Sequence, residues 1–155
     1  ACATPGWKLV DTQAETIGEG VLLESPGPSS EDWYVLLVCR GDRAHRPTLE
    51  DFVDHRGAFE QALSALQEGR ELVALTWNGR AMLNVLGDGL GRKLTNDALI
   101  NGARAAGVSG SGTALVVIAP KVSKPTCERL KQYFENQEDG FTVIETSFLN
   151  QIVEE

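Results

Sequence analysis

The sequence predicts a single α+β domain over residues 1–155, with helices packed on one face of a mostly antiparallel sheet. Two continuous apolar runs, at residues 33–39 and 114–119, have the length and composition of buried strands. Three stretches of helical periodicity lie between them, so strands do not alternate with single helices as in a doubly wound parallel sheet. Since 42% of the 155 residues are hydrophobic, the chain can form a substantial core.

The N-terminal part of the chain is predicted to contain strands and loops. Residues 7–25 include one or two short strands, the second of them around residues 21–23, and SPGPSSED at residues 25–32 has the composition of a loop. The strand at residues 33–39 follows. We interpret RGDRAHRP after that strand as a polar connector, in which the letters RGD form an ordinary surface turn.

Two helices are predicted next. The first begins at Thr48, which can form a variant of the capping box with Asp51, and it ends at Gly69. The second runs from about residue 70 to 86 and contains Gly79. Because Gly in a helix costs about 1 kcal/mol relative to Ala, we expect another backbone or a ligand to approach Gly79 closely.

A third helix is predicted after a flexible loop, GDGLGRK, at residues 87–93. It begins at Thr95 or Asn96 and ends with Gly107 as its C-cap. Its predicted inner face consists of Leu99, Ile100, Ala103 and Ala106. The second apolar strand follows, then a fourth helix that Pro125 opens, and a last strand at residues 141–148.

Charge and composition argue against two classes of partner. The net charge is −8 and no run is rich in Lys or Arg, which argues against nucleic acid as a partner. No apolar run approaches the roughly 18 residues of a membrane span, so no membrane association is predicted. The cysteines Cys2, Cys39 and Cys127 are scattered, and no signal-peptide pattern opens the chain; both observations suit the cytoplasm.

Two patterns that resemble chemical sites are interpreted as structural. GDGLGRKLT contains glycines, a Lys and a Thr, but the contiguous Gly-Lys-Ser/Thr of a P-loop is interrupted and a helix precedes it. Asp51, Asp54 and His55 would share a helix face and could bind a metal, but a solvated first turn is the commoner case, so we predict no metal site. His45 and His55 fit no nucleophile pattern, which leaves hydrolytic catalysis without support.

The glycine-rich stretch GVSGSG at residues 107–112 is the remaining candidate site. In phosphate-binding loops the glycines follow a strand and open a helix, whose N-terminus faces the phosphate. Here the glycines are predicted to follow the C-terminus of a helix, which is the negative end of its dipole. The loop is therefore poorly placed to hold ATP alone; it either contributes backbone N–H groups to a shared site or is a turn without a ligand.

Residues 94–120, LTNDALINGARAAGVSGSGTALVVIAP, resemble the third motif of the GHMP kinase superfamily, which includes galactokinases, homoserine kinases and mevalonate kinases. The greatest similarity is to the archaeal type of shikimate kinase. WNGRAM at residues 77–82 resembles that family's Asn-Gly, and Thr95-Asn96 matches its Thr-Asn. ACAT at the start of the chain resembles the residues that follow the family's Asp-Asp-Ala.

Two departures from the family pattern concern the acceptor. Gly112-Thr113 stands where the family usually has Gly-Pro. The tail FLNQIVEE contains only Asn150, where the family tends to carry Asn and Gly residues. The identity of the acceptor is therefore less well determined than the superfamily.

The resemblance implies that this chain corresponds to the C-terminal, acceptor-side half of a GHMP kinase. In the family the phosphate-cradling loop and the catalytic Asp lie in the N-terminal half. The resemblance of ACAT places the family's Asp-Asp just upstream of Ala1, so no catalytic residue is expected in this chain. The N-terminal half is expected as a second polypeptide.

The resemblance also implies cofactors and a reaction. The implied cofactors are ATP and Mg²⁺. The implied reaction converts shikimate to shikimate 3-phosphate, a step of aromatic amino-acid biosynthesis in the chorismate pathway. No activity is expected without the N-terminal half.

The same resemblance assigns site residues. Those implied to approach the transferring phosphoryl group are Ser109, Gly110, Ser111 and Gly112. Those implied to hold the hydroxylated, carboxylate-bearing acceptor are Asn78, Thr95 and Asn96.

Two other functions remain open at this point. One is a non-catalytic module with a GHMP-like fold that binds a metabolite or a partner. The other is a GHMP kinase for a different acceptor, of the homoserine or mevalonate type. A kinase half that works with a second half should expose a large apolar patch where that half docks.

Overall fold

The computed structural model describes residues 6–11, 14–16, 19–42, 46–110, 112–138 and 140–149. The elements in chain order are β1 (Trp7–Val10), β2 (Val21–Ser25), β3 (Trp33–Cys39), α1 (Leu49–Val53), α2 (Arg56–Gln67), α3 (Glu71–Val85), α4 (Gly89–Ile100), β4 (Ala105–Val108), β5 (Leu115–Pro120), α5 (Lys124–Glu135) and β6 (Thr142–Thr146). None of the helices within these ranges is long and apolar enough to cross a membrane.

The main sheet has four strands in the order β4-β5-β3-β6, and all of its neighbouring strands are antiparallel. The two apolar runs of the sequence form its two central strands, β3 and β5. β1 and β2 pair with each other in a separate two-stranded antiparallel sheet. The predicted α+β class with a mostly antiparallel sheet is confirmed.

The larger part of the core lies on one face of the main sheet. Leu36 is paired with Val117, which is paired with Ala106, so these three side chains project from the same face. Helices α4, α5 and the second half of α3 cover this face, and their largest fully buried side chains are Leu83, Leu94, Leu130 and Phe134. A smaller cluster on the opposite face joins Val35 and Ile118 to the beginning of α3.

The predicted helix over residues 48–69 is divided in two. Its start is as predicted, because the Asp51 carboxylate accepts hydrogen bonds from Thr48 N, at 2.7 Å, and from the Thr48 hydroxyl, at 3.0 Å. However, α1 ends at Val53, and His55, with ψ near 9°, separates it from α2. The periodicity continues across this break because the Phe52 ring still packs against the ring of Phe59, on α2.

The predicted bounds of the third helix are wrong. GDGLGRK is not a flexible loop, since α4 begins at Gly89, where the Asp88 carboxylate caps it by accepting from Gly91 N at 2.7 Å. The helix ends at Ile100, which is 82% exposed and does not belong to an inner face. Residues 105–107, predicted as the end of this helix with Gly107 as the C-cap, and Val108, predicted in the loop, form the buried edge strand β4.

A close crossing of α3 over β4 explains both the glycine in α3 and the composition of β4. A Cβ atom at Gly79 would lie only 2.4 Å from Gly107 Cα. At Gly107 it would lie 3.0 Å from the carbonyl oxygen of Leu75. The expected approach of another backbone to Gly79 is confirmed. Because α3 lies so close, β4 requires small residues, and its sequence AAGV does not have the β-branched composition typical of strands.

Candidate functional site

The expectation that the glycine-rich stretch follows a helix C-terminus is wrong. Gly107 and Val108 are the last residues of β4, and Ser109, Gly110 and Gly112 lie in the hairpin turn that joins β4 to β5. Ser109 N donates to the carbonyl oxygen of Ala114 at 2.8 Å, and Gly112 N donates to the carbonyl oxygen of Ser109 at 3.3 Å. Gly110 has φ +60°, a left-handed conformation that favours glycine. Ser109 and Gly110 are exposed, and Ser111 lies outside the described residues. The turn therefore follows a strand, and its first two residues, Ser109 and Gly110, face solvent.

Other sequence expectations also fall outside the described residues. Ala1 is one of them, so the expectation that the catalytic Asp lies just upstream of Ala1 is not tested by the structure and stays a prediction. The same holds for the interpretations given to Cys2, His45 and Asn150.

A buried ion pair holds the base of the hairpin turn. The guanidinium of Arg40, whose side chain is only 5% exposed, bonds to the Asp88 carboxylate at 2.5 Å and donates from Nε to the carbonyl oxygen of Thr113 at 2.7 Å. The Thr113 hydroxyl donates to the carbonyl oxygen of Gly41. These contacts tie the end of β3, the start of α4 and the end of the turn together, beside a cavity of about 660 Å³.

The ion pair also sets the protonation state of Asp88. Partial burial of its carboxyl acts to raise the pKa, but the hydrogen bonds from Arg40 and Gly91 N and the positive charge of Arg40 outweigh burial and lower the pKa of Asp88. Asp88 is therefore ionised at neutral pH. Sequence analysis did not select this pair, although Arg40 directly follows a buried strand and Asp88 directly precedes a helix.

Asn78 lies beside the α3–β4 crossing and lines a groove of about 570 Å³. The groove runs between β1, α2, α3 and the β4–β5 pair. Most of the side chains that line it are apolar, among them Trp7, Leu9, Phe59, Leu63, Leu75 and Val116. Since Val108 lines the same groove, Asn78 and the last residue before the turn share one surface.

Thr95 and Asn96 have different surroundings although they are adjacent. Thr95 is 1% exposed, and its hydroxyl donates to the carbonyl oxygens of Gly91, at 2.9 Å, and Arg92, at 3.1 Å, within its own helix. This placement gives the Thr95 hydroxyl no described contact with a cavity. Asn96 is exposed and lines a cavity of about 360 Å³ between α2, α3 and α4. The structure therefore does not bring Asn78, Thr95 and Asn96 into one cavity.

The cavity at Asn96 contains polar residues that sequence analysis did not select. Arg80 donates from Nη2 to Asn96 Oδ1 at 3.1 Å, and its guanidinium carbon lies 5.4 Å from the centre of the Trp77 ring. Asn84 and Arg92 line the same cavity. A signal for part of this cavity was present in the sequence. Trp77, Arg80 and Asn84 are spaced at i, i+3 and i+7, which is the spacing of side chains on one face of a helix.

The described residues show no metal site. Within the ranges given above, no three or more side chains of His, Cys, Asp or Glu come together in a way that could hold a metal ion. Asp51, Asp54 and His55, which are all described, form no such cluster.

The chain is similar in fold to about half of two known kinases. No protein-family model matches it, and no curated protein matches it by sequence. Among solved structures it is similar to mevalonate kinase from methicillin-resistant Staphylococcus aureus, with a TM-score of 0.55 and 12% identity over 81% of this chain and 45% of that one. It is also similar to homoserine kinase from Cytophaga hutchinsonii, with a TM-score of 0.50 and 17% identity over 83% of this chain and 46% of that one.

These similarities extend only to the fold, because both sequence identities are low. The chain spans about half the length of the two kinases, since it covers 45% and 46% of them. Mevalonate and homoserine kinases are members of the superfamily whose third motif residues 94–120 resemble. The archaeal shikimate-kinase type stays a prediction from sequence, whereas the kinase-like α+β fold is shown.

Proposed function

We propose that this chain is the acceptor-side part of an ATP-dependent small-molecule kinase of the GHMP type, with shikimate as its acceptor and shikimate 3-phosphate as its product. The observation that carries the proposal is the crossing of Gly79 over Gly107. This crossing sets Asn78, assigned to the acceptor, next to the strand that leads into the turn at residues 109–112, assigned to the phosphoryl group. The shared fold with mevalonate and homoserine kinases supports it.

The hairpin turn fits the approach of a phosphoryl group. Apart from Gly110 itself and its two neighbours in the chain, no described atom lies within 4 Å of the position that a Cβ of Gly110 would occupy, so the backbone is open on that side. Bound ATP would supply the phosphoryl group that is transferred. The contribution of this chain is then positional: the Arg40–Asp88 pair fixes the base of the turn, and the turn presents its backbone to the reacting group.

The described residues do not fit a resident Mg²⁺ ion, because they contain no cluster of carboxylates or other metal ligands. We therefore propose that Mg²⁺ enters with ATP and is held by residues outside the described part of this chain. No role in metal binding is assigned to the turn.

The proposal includes an N-terminal half that supplies the phosphate-cradling loop and, just upstream of Ala1, the catalytic Asp. It is a second polypeptide or a preceding part of the same one. One apolar surface is available to it. Leu37 pairs with Val116 on one side and with Ile144 on the other, and this part of the second sheet face is only half covered, with Ile144 46% exposed. Val116 also lines the apolar groove at Asn78, so the two surfaces are continuous.

Two alternatives keep the fold and change the role. The acceptor could be homoserine or mevalonate, which carry a hydroxyl and a carboxylate as shikimate does. The chain could also bind a metabolite without transferring phosphate, and the cavity at Arg80 and Arg92 favours this second candidate. A cytoplasmic location stays a proposal from composition.

The proposal is tested with the protein that carries this chain, purified from its own source. Native mass spectrometry identifies any companion polypeptide, and phosphoryl transfer from Mg-ATP is measured with shikimate, homoserine and mevalonate. We expect a one-to-one complex with a second polypeptide, or a single longer chain, that phosphorylates shikimate. Transfer to homoserine or mevalonate instead would change the acceptor, and transfer to none of the three would contradict the kinase.

The role of the turn is tested with Gly110→Asn. Asn tolerates the left-handed conformation better than most residues, so the turn should keep its shape while a side chain obstructs the approach to it. We expect kcat to fall about 100-fold, the scale of effect of a misplaced reacting group. The matched control is Gly69→Asn, since Gly69 has φ +70° and open surroundings but lies after α2. Equal activity of the two variants would remove the turn from the mechanism.

A further inference from the structure

The apolar groove at Asn78 is bordered by a strand edge without a described partner. Trp7, Lys8 and Leu9 of β1 all line this groove. Since successive side chains of a strand point to opposite faces, three consecutive lining residues indicate that the backbone of β1 also borders the groove. Within the described ranges β1 pairs with β2 alone, and no described residue of β2 lines the groove. The groove therefore runs along the other edge of β1.

The opposite wall of the groove is apolar. It is formed by side chains of α2 and α3, among them Phe59, Leu63, Leu66 and Leu75. Leu63 is still 37% exposed on that wall. A two-stranded sheet such as β1–β2 is marginally stable by itself and gains stability from a third strand. An extended segment suits this groove, because its main chain can pair with the edge while alternate side chains are buried against the helices.

The C-terminal part of the described chain leads to this groove. After β6, the ring of Phe148 packs against the ring of Trp7, with their centroids 6.2 Å apart. Phe148 also packs against the smaller core cluster, as do Leu75 and Val116, which both line the groove. The chain is therefore held beside the groove at Phe148, two residues before residue 150.

The sequence that follows Leu149 has the composition of a strand. Residues 150–155, NQIVEE, lie outside the described ranges. They include the adjacent β-branched residues Ile152 and Val153 and contain neither Gly nor Pro. Six extended residues span about 20 Å, which exceeds the length of roughly 13 Å expected for the four residues of β1. This segment is long enough to cover the whole edge of β1.

We propose that residues 150–155 pair with the groove-side edge of β1 and form a third strand of the small sheet. The added strand runs in the same direction as β1, because it enters the groove beside Trp7. One of the two side chains of Ile152 and Val153 packs into the groove against Leu63, and the other points away from it.

The added strand has a consequence for the acceptor side. Asn78 lines the same groove, so the strand forms one wall of the space next to Asn78. The sheet face at Leu37 and Ile144 stays available to an N-terminal half. The pairing goes beyond the proposed function, since it requires neither ATP nor an acceptor nor an N-terminal half.

The test is hydrogen–deuterium exchange of the protein that carries this chain, measured by mass spectrometry on peptides that cover β1 and residues 150–155. We expect the amides of residues 151–154 to exchange about tenfold or more slowly than those of an unstructured peptide, because pairing with β1 protects them. Exchange of these residues at the unstructured rate would overturn the proposal.

Two single substitutions test the strand geometry. Ile152→Asp and Val153→Asp place a carboxylate on opposite faces of the added strand, so only one of them puts a charge into the apolar groove. In that variant we expect the β1 amides to exchange about tenfold faster, and in the other we expect almost no change. The control is Val122→Asp, which adds the same charge at a residue that is 93% exposed and does not line the groove. Circular dichroism checks that each variant folds.

Other occupants of the edge give different results. Protection of β1 that increases with protein concentration would indicate a second copy of this chain. Protection of β1 that neither Asp substitution in residues 150–155 reduces would indicate a strand from an N-terminal half. Either result, or equal effects of Ile152→Asp and Val153→Asp, would overturn the proposal. A failure of the kinase would leave these readouts unchanged, because none of them measures phosphoryl transfer.

Discussion

Arg40 and Arg80 show how the same side chain serves two different regions of this molecule. Arg40 is 5% exposed, forms an ion pair with Asp88 and donates to a carbonyl oxygen of the turn. Arg80 borders a cavity, contacts an aromatic ring and an amide, and has no carboxylate partner in the described ranges. The positive charge of Arg40 is compensated within the fold, whereas that of Arg80 is available to a ligand.

This difference predicts where substitutions act. Around Arg40 and the α3–β4 crossing, groups are buried and close together, so substitutions should change the free energy of unfolding. Around Arg80 and Arg92, the chain already tolerates uncompensated charge, so substitutions should change ligand binding and leave stability almost unaltered. Three stability measurements test the first part of this division, at the Arg40–Asp88 pair and at the α3–β4 crossing.

The largest effect is expected for Asp88→Ala. The substitution leaves the buried Arg40 guanidinium without its counter-charge and removes the cap of α4. We expect a loss of about 3 kcal/mol in the free energy of unfolding, at the lower end for a broken buried pair because the Asp88 side chain is 19% exposed. Urea unfolding at neutral pH measures it. Glu60→Ala breaks the exposed pair with Arg56 and should change stability by less than about 0.5 kcal/mol. Equal losses in the two variants would contradict the division.

A smaller effect is expected for Gly79→Ala. In a free helix this change would stabilise by about 1 kcal/mol, but here the new Cβ would lie 2.4 Å from Gly107 Cα and force the backbones apart. We expect a net loss of about 2 kcal/mol in thermal or urea unfolding. The control is Gly57→Ala in α2, where nothing apart from the adjacent backbone of the chain lies within 4 Å of the new Cβ and a gain of about 0.5 kcal/mol is expected. A gain in both variants would mean that the crossing is looser than described.

The smallest effect concerns pH. Because the pKa of Asp88 is lower in the folded chain, its ion pair stabilises the fold at pH values above the unfolded-state pKa of about 3.9. This contribution is lost as the pH falls through the lower folded-state pKa. We therefore expect the stability difference between the natural chain and Asp88→Asn to be larger at pH 6 than at pH 3. An unchanged difference would show that the charge of Asp88 does not act through Arg40.

Much of the fold followed from local patterns. The two central strands were predicted because their apolar runs are continuous, and the start of α1 because Thr48 and Asp51 form a capping box. Gly79, within a predicted helix, indicated that another group approaches this helix closely, and that group is the backbone of Gly107. For the two strands and the start of α1, the deciding interaction is local or is imposed by burial alone.

The errors arose where distant parts of the chain decide the structure. The beginning of β4 was predicted as the end of a helix because Ala103 and Ala106 continue a helical spacing and Gly107 suits a C-cap. The small residues of β4 are instead required by α3, which precedes it in the sequence and packs closely against it. The start of α4 was missed because Asp88, its cap, lies among glycines that suggested a loop.

The candidate site was predictable only in part. The glycine turn was selected from its composition and Asn96 from a family resemblance, and the roles that the resemblance assigns to them stay predictions. Arg80 and Arg92 come from different helices, so their common cavity exists only after α3 and α4 pack together.

The crossing of α3 over β4 also limits which segments of this chain can be exchanged with those of a related chain by recombination. Apart from Arg40, the residues assigned to phosphoryl approach and to ligand binding lie on one uninterrupted stretch from α3 to the hairpin turn. Gly79 and Gly107 admit no side chain between them. A larger residue at either position therefore requires a compensating change in the helix or strand that it faces. Recombination outside this stretch would transfer α3, α4 and β4 together, with the residues assigned to the site. Recombination within α4 would combine an α3 from one chain with a β4 from another, and the two would not have been selected to pack against each other.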